Sequence, residues 1–371
     1  MNSRSRLLLL IPHLGGGGAE GVMALLARGL SAEKYELHLA VMTEEKEGAR
    51  PLPLWVQIHH LGASRVRFGA FALLRLVRNL KPDLILSGMF HLNFLVLLLR
   101  PLFPRRTRVL VRQNGSLSAP LASGGANFRT RLLYRLLYRY AEKLICQSRA
   151  MADELQRELR LDVDRLAVLP NPVDVEEIRN SILQNQIVWP GRGPHLLAIG
   201  RLAREKGFDL LLRAMVLVRR EFAEAGLLIA GAGPEEAALK AERHRLGLDS
   251  AVDFAGCLTP PWPCFADATL FVLSSRQEGL PNALLEAVAA GLPIVALPAS
   301  AGVVELLRDR AGVWLAPEIS AEALAASLLA ALAALQPGER FAHRFIEEFQ
   351  MDRAILAYED LIDRTLAQTR C

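Results

Sequence analysis

The sequence predicts an α/β protein of two doubly wound, Rossmann-like domains facing a cleft, and three observations predict it. Short apolar runs alternate with stretches of helical periodicity along the chain, the pattern of parallel sheets with crossover helices. The 371 residues exceed what one hydrophobic core fills, and an apolar share of 51% suffices for two packed sheets. Between the halves, Pro170-Asn171-Pro172-Val173-Asp174 through Pro190-Gly191-Arg192-Gly193-Pro194 holds the densest Pro/Gly punctuation. The expected boundaries are residues 1–175 for the first domain, 176–194 for a linker and 195–350 for the second.

Taken in order, strands are expected in the first half at Leu7–Ile11, Tyr35–Val41, Val56–His60, Leu84–Ser87, Arg108–Arg112, Leu144–Gln147 and Ala167–Leu169. In the second half they fall at Leu196–Ile199, Leu227–Ala230, Val252–Phe254, Leu270–Leu273, Ile294–Leu297 and Val313–Leu315. Each is a short apolar run bounded by turn residues, as a strand covered on both faces requires. Ala321 to Leu335 reads as an alanine-leucine helix, and Met351 to Thr369 as an amphipathic one. Arg4 and Arg6 before Leu7-Leu8-Leu9-Leu10-Ile11 imitate a signal peptide, but Pro12 and His13 cut the run short and glycines follow, so it is expected as a strand. Phe94 to Leu99 is far below the roughly 20 apolar residues of a transmembrane helix.

Cys146, Cys257, Cys264 and Cys371 form no CxxC or Cys/His cluster, so reduced thiols in a cytoplasmic protein are expected. The net charge of +5 hides an asymmetry: residues 1–190 carry 26 Lys and Arg against 16 Asp and Glu, a net of +10, while the remainder nets −5. A basic half suits nucleic acid, anionic lipid or an anionic acceptor. No zinc-finger, RNA-recognition or helix-turn-helix signature supports nucleic acid, which leaves a membrane surface or a lipid-linked substrate. Arg131, Arg135, Arg139 and Lys143 stand at four-residue spacing. On one helix they would lay a cationic stripe against anionic headgroups, the alternative being a core helix with a solvated basic face.

Two motifs carry the chemistry. Glu278-Gly279-Leu280-Pro281-Asn282-Ala283-Leu284-Leu285-Glu286 sets two carboxylates eight positions apart around a stiff loop and a helix start, with Asn282 expected as N-cap and Ala283 to Ala290 as the helix. Unpaired N–H groups at such a helix start suit an anionic or hydroxyl-rich ligand, and the carboxylates accept from sugar or ribose hydroxyls. The same geometry also serves a capped surface helix. Upstream, Ile199-Gly200-Arg201-Leu202-Ala203-Arg204-Glu205-Lys206-Gly207 reads as strand, glycine turn and two cations ahead of a helix. Arg201 offers a bidentate fork and Lys206 a mobile point charge, a pair that fits a diphosphate.

Together these motifs resemble those of the retaining nucleotide-sugar glycosyltransferases of family 4, also called glycosyltransferase group 1, whose EX7E and G-R-L-x-x-x-K-G loops line the donor site. The resemblance extends through Val252 to Gly256, Ala266-Asp267, Leu273 to Arg276 and Ala289 to Ala296. It covers most of the second half well and the first half more loosely. It implies a GT-B fold, with the C-terminal helix, residues 351–371, crossing back to the first domain. It also implies a donor site that includes Gly279, Leu280, Pro281 and Asn282. Gly15-Gly16-Gly17-Gly18-Ala19-Glu20 matches the family's G-G-x-E loop, which makes Gly17, Gly18 and Glu20 candidates for the donor diphosphate or the acceptor. Gly231-Ala232-Gly233 follows a strand but fails the dinucleotide fingerprint, since Glu236 stands at the sixth position. The resemblance makes it a turn that shapes the nucleotide pocket.

By the resemblance, Arg201 and Lys206 stabilise the leaving diphosphate without a metal or other cofactor, Glu278 contacts the donor sugar and Glu286 holds the ribose. The acceptor would be a saccharide or lipid-linked saccharide, in envelope, lipopolysaccharide or exopolysaccharide assembly on the inner face of the plasma membrane. Many similar transferases place a His after the strand where this chain has Arg112-Gln113-Asn114. Acceptor positioning is therefore expected from Arg112 and Asn114, with His91 after the preceding strand as a further candidate. Two other classes compete: a non-catalytic partner subunit that keeps the fold, and a nicotinamide-dependent dehydrogenase, which lacks a proper fingerprint.

Overall fold

The computed structural model describes residues 4–15, 17–43, 51–63, 66–115, 128–182 and 187–368. The chain divides into two compact units, Met1–Pro172 with Glu348–Cys371, and Val173–Glu347. All thirteen expected strands occur, with bounds shifted by at most two residues.

In the first unit β1 (Ser5–Ile11), β2 (Tyr35–Val41), β3 (Gln57–His60), β4 (Leu84–Ser87), β5 (Arg108–Arg112), β6 (Lys143–Cys146) and β7 (Leu166–Val168) form one parallel sheet in the order β3-β2-β1-β4-β5-β6-β7. The crossovers are α1 (Gly18–Gly29), α2 (Ala70–Leu80), α3 (Phe90–Leu99), α4 (Phe128–Tyr138) and α5 (Arg149–Leu159). Strand β1 shows why the apolar runs are continuous. Leu8 and Leu10 pack under α2, α3, α4 and α5, whereas Leu7, Leu9 and Ile11 pack under α1 and the C-terminal helix, so both faces are buried.

The second unit opens with α6 (Val175–Ile182), followed by β8 (His195–Ile199), α7 (Phe208–Glu221), β9 (Gly226–Ala230), α8 (Glu236–Arg245), β10 (Val252–Gly256), β11 (Leu270–Leu273), α9 (Asn282–Ala289), β12 (Ile294–Ala296), α10 (Ala301–Leu307), β13 (Val313–Leu315) and α11 (Ala321–Ala334). Its parallel sheet runs β10-β9-β8-β11-β12-β13. Residues 176–194, read above as a linker, therefore begin with most of a helix: α6 packs on α9, and Arg179 Nε donates to the Ala289 carbonyl at 3.0 Å. Proline punctuation marks where the chain changes direction, and the apolar stripe of Val175 and Ile178 still finds a surface to bury.

The last helix, α12 (Met351–Ala367), belongs to the first unit and packs on α1. Glu359 accepts from Ser31 N at 2.9 Å and Lys34 Nζ at 2.6 Å, and Tyr35 donates to Asp363 at 2.6 Å.

The strand order reverses beside β1 in the first sheet and beside β8 in the second. Diverging crossovers leave a crevice at such a point, outside the carboxyl ends of the strands. The glycine turns after β1 and β8 are at those two points.

Candidate active site

In the second unit three loops meet at the carboxyl ends of β8, β9 and β11. Gly207 adopts φ +66°, and a Cβ there would overlap the Ser274 carbonyl, so the loop after β8 lies directly on the loop after β11. Gly231, at φ +152°, and Gly233 would similarly collide with the Gly200 and Leu202 backbones if they carried side chains. The glycines thus bring the β9 loop against the β8 loop, a close backbone approach that only glycine permits.

Hydrogen bonds stitch the two motif loops together. Ser274 Oγ donates to the Lys206 carbonyl at 2.9 Å, and Arg276 N to the Glu205 carbonyl at 2.8 Å. Lys206 Nζ reaches Glu278 Oε1 at 2.5 Å, and Ser275 Oγ donates to the same oxygen at 2.6 Å. The Glu278 side chain is 10% exposed and that of Lys206 23%, so this pair is largely withdrawn from water. Arg276 grips Asp209 through two bonds of 2.6 Å each. Burial pushes the Asp209 carboxyl up, but the Arg276 hydrogen bonds and charge outweigh it and hold the pKa below its ordinary value. This brace ties the start of α7 to the loop that carries Glu278. Sequence reasoning missed Asp209, Ser275 and the partner of Arg276; the only signal was the position of Ser275 and Arg276 just before Glu278.

Arg201 is 66% exposed in the loop after β8 and pairs with Glu205, four residues on. An exposed pair of this kind is worth about 0–1 kcal/mol, so the guanidinium is only weakly held. Asn282 is the first residue of α9, whose cap position is taken by Pro281 with no side-chain cap bond. The expected Asn282 cap is therefore corrected: Pro281 ends the extended loop one residue earlier. Leu280 is buried, Gly279 accepts from Ser300 Oγ at 3.1 Å, and Glu286 is half-buried on the second turn of α9.

In the first unit, Gly17 occupies the cap position of α1, and the Glu20 carboxylate lies where a Gly17 side chain would be. Gly18 begins the helix, Glu20 is buried, and His13 Nε2 lies 3.5 Å from its Oε1. His91, at the start of α3, is partly solvent-exposed. Burial of its ring lowers its pKa against the attraction of Glu20. His13 was not among the sequence candidates.

Arg112 corrects the acceptor-side expectation. It is fully buried, its Nε donates to Tyr358 of α12 at 3.2 Å, and its two terminal nitrogens donate to Asn114 and Asn171. A guanidinium with no exposed surface is a strut between β5 and the C-terminal helix. Asn114, half-buried, is fixed by Arg112, by Gln147 at 3.2 Å and by the Gly88 carbonyl.

The cationic stripe is also corrected. Helix α4 stops at Tyr138, and Lys143 starts β6, where its ammonium reaches the Asp164 carbonyl. Arg135 donates to the Glu158 carbonyl at 3.0 Å, Arg139 stacks on Tyr140 at 5.2 Å, and the Arg131 side chain lies outside the described residues. Pairing of Lys143 with Leu110 of β5 overrides the four-residue spacing. Among the described residues no His, Cys, Asp and Glu group has metal-binding geometry, and no helix is long and apolar enough to cross a membrane.

Comparison with known proteins places this arrangement. The family described as Glycosyltransferase Family 4 matches residues 16–177, and that described as Glycosyl transferases group 1 matches residues 193–334. The chain is 27% identical to the N-acetylgalactosamine-N,N'-diacetylbacillosaminyl-diphospho-undecaprenol 4-alpha-N-acetylgalactosaminyltransferase of Campylobacter jejuni, over 82% of this chain and 84% of that one. It is 26% identical to an amylovoran biosynthesis glycosyltransferase of Erwinia amylovora, again over 82% and 84%. Among solved structures it is similar to sucrose-phosphate synthase from Thermosynechococcus elongatus, with a TM-score of 0.82 and 17% identity over 98% of this chain and 100% of that one. It is also similar to Anabaena HepE in complex with UDP and glucose, with a TM-score of 0.78 and 16% identity over 97% and 100%. The chain belongs to the group 1 glycosyltransferases and has their GT-B fold.

Proposed function

We propose that the protein transfers a sugar from a nucleoside-diphosphate donor, with UDP as the nucleotide, to a hydroxyl of a lipid-linked saccharide, with retained anomeric configuration and without a divalent metal. One observation carries this reading: a part-buried Lys206–Glu278 pair, braced by Ser275 and Arg276, at the carboxyl ends of β8 and β11 where the strand order reverses. The HepE complex with UDP and glucose supports the donor. The Campylobacter relative, named for a diphospho-undecaprenol substrate, supports the acceptor, and with the basic first half it supports assembly of an envelope polysaccharide at the inner face of the membrane.

In this reading the donor diphosphate takes Lys206 from Glu278 and Arg201 from Glu205. Both cations, with the N-terminal end of α9, then stabilise the charge that builds on the leaving phosphate oxygen. Glu278 turns to the transferred sugar and stabilises the positive charge at its anomeric carbon, and Glu286 holds the ribose. The sugar–phosphate bond breaks as the acceptor oxygen attacks from the same face, and the acceptor proton passes to the departing phosphate. In the first unit, Glu20 and Asn114 are the residues proposed for acceptor recognition.

The test incubates the protein with a panel of UDP-, GDP- and ADP-sugars and a polyprenyl-diphosphate saccharide, with and without excess EDTA. Proton NMR of the product then reads its anomeric configuration. Transfer that survives EDTA and preserves the donor configuration is expected. Inversion refutes retention, a strict Mn²⁺ or Mg²⁺ requirement refutes the cationic leaving-group argument, and no transfer or donor hydrolysis favours a non-catalytic subunit.

A further inference from the structure

Three arginines stand in the two loops that carry Lys206 and Glu278: Arg201, Arg204 and Arg276. A diphosphate attracts all three, but the fold commits one of them elsewhere. Arg276 Nη1 donates to the Arg204 carbonyl at 3.0 Å and to Asp209 Oδ1 at 2.6 Å, while its Nη2 donates to Asp209 Oδ2 at 2.6 Å. Its backbone N–H reaches the Glu205 carbonyl at 2.8 Å, so one residue holds two successive carbonyls of the turn that leads into Lys206. The Asp209 carboxylate also accepts from its own N–H and that of Leu210, which answers the positive start of α7 from within the chain. Helix α7 is in turn anchored by Phe208, Leu211, Leu212 and Met215 in the core of the second unit. Arg201, by contrast, reaches Glu205 through a single nitrogen.

We infer that the Arg276–Asp209 fork is the positioning device of the donor site: it touches no substrate and acts on sugar transfer by holding Lys206 and Glu278 in register. Chain distances make this physical. Glu278 stands two residues beyond Arg276, and Lys206 three residues before Asp209, so the fork ties the two segments close to the groups that they carry. Two parallel N–H···O bonds fix orientation as well as distance, which the point charge of a lysine does not. The two side chains are 30% and 35% exposed, so water screens their attraction and little of the fork's effect is on stability. Its effect is geometric, since a misplacement of about 1 Å costs about a hundredfold in rate. The role rests on the donor site proposed above, but the loop geometry is read without substrate, so either can fail alone.

The experiment compares Arg276→Lys, which keeps the charge and loses the fork, and Asp209→Asn with the wild type. Crystal structures of the three full chains without ligand read the loops. In both variants the contact of 2.5 Å between Lys206 Nζ and Glu278 Oε1 is expected to open. Release of UDP from UDP-glucose reads the site. Each variant should lose at least about tenfold in kcat, and adding Arg276→Lys to Glu278→Gln should cost nothing further, because the fork works through Glu278. Asp249→Asn is the control: it breaks another Arg–Asp pair of the second unit, Arg243 with Asp249 at 3.1 Å between α8 and β10, and should turn over as wild type. Unchanged thermal melting shows that each variant is folded. A wild type that does not hydrolyse UDP-glucose counts against the donor reading, and the crystal structures then decide the fork alone. A Lys206–Glu278 contact kept in both variants, an unchanged kcat, or a full additional loss in the Glu278→Gln background, the mark of an arginine that binds phosphate directly, overturns the inference.

Discussion

Replacing Lys206 by Met keeps most of the apolar stem and removes one charge, leaving Glu278 facing Ser275 alone. The Glu278 side chain is 10% exposed and that of Lys206 23%, so the 0–1 kcal/mol of an exposed pair, a rough figure, is too small. The approximately 3–5 kcal/mol for breaking a fully buried pair is too large, because the Ser275 hydroxyl still donates at 2.6 Å. A loss of about 2 kcal/mol follows, in line with hydrogen bonds to charged groups. For a unit of this size, that lowers the melting temperature by about 4–8 °C. Glu278→Gln should cost no more than about 1 kcal/mol, because the freed ammonium reaches water on its flexible stem. Ligand binding supplies a second reading. A nucleoside diphosphate at 100 times its dissociation constant stabilises the wild type by about 2.7 kcal/mol, and a tenfold loss of affinity in Lys206→Met cuts that to about 1.4 kcal/mol. Thermal melting of the three proteins, with and without UDP, measures both quantities. Lys206→Met melting with the wild type and keeping its full UDP shift refutes the reasoning, as does Glu278→Gln proving the more damaging change.

The two carboxylates should separate kinetically: Glu286→Ala should raise the donor KM and weaken free nucleoside diphosphate, whereas Glu278→Gln should depress kcat at least about tenfold with diphosphate affinity nearly intact, as steady-state kinetics and calorimetry will show. Arg201→Ala should lower turnover at least about tenfold without shifting the melting temperature, because only an exposed ion pair is lost. Acid should destabilise the protein early. Burial lowers the pKa of His343 and of His38, against the Leu292 carbonyl at 2.8 Å for the first and Glu36 for the second. Their contribution is complete above about pH 6.5 and is lost as pH falls toward their folded values; melting across that range should show the decline, smaller in His343→Asn. Burial also pushes the Cys146 thiol up to about 12 and Cys264 to about 11, while Cys257 is exposed. In a Cys371→Ser background, a thiol reagent near pH 8 should therefore label Cys257 alone before unfolding, as mass spectrometry of the intact protein will show.

The strands, both glycine turns and the two motifs were legible in the sequence because each is a local pattern. An apolar run bounded by turn residues needs a strand buried on both faces, wherever that strand sits in a sheet. Strand order is another matter. Nothing in the run Leu7 to Ile11 says that β4 and not β3 lies beside it, yet that choice creates the reversal point to which the first glycine turn leads. Partner choice was equally hidden: Lys206 and Glu278 stood in separate motifs, and only the packing of Gly207 on Ser274 brings their charges to 2.5 Å. Arg112 looked available because it stands in the stretch where similar transferases carry a His, but Tyr358, 246 residues away, takes its Nε–H. The spacing of Arg135, Arg139 and Lys143 looked helical until β-pairing claimed Lys143. Sequence determined which groups this protein has to work with. The tertiary structure decided which of them are paired, buried or free, because a charge's partner and its distance from water depend on residues that the chain brings near only on folding.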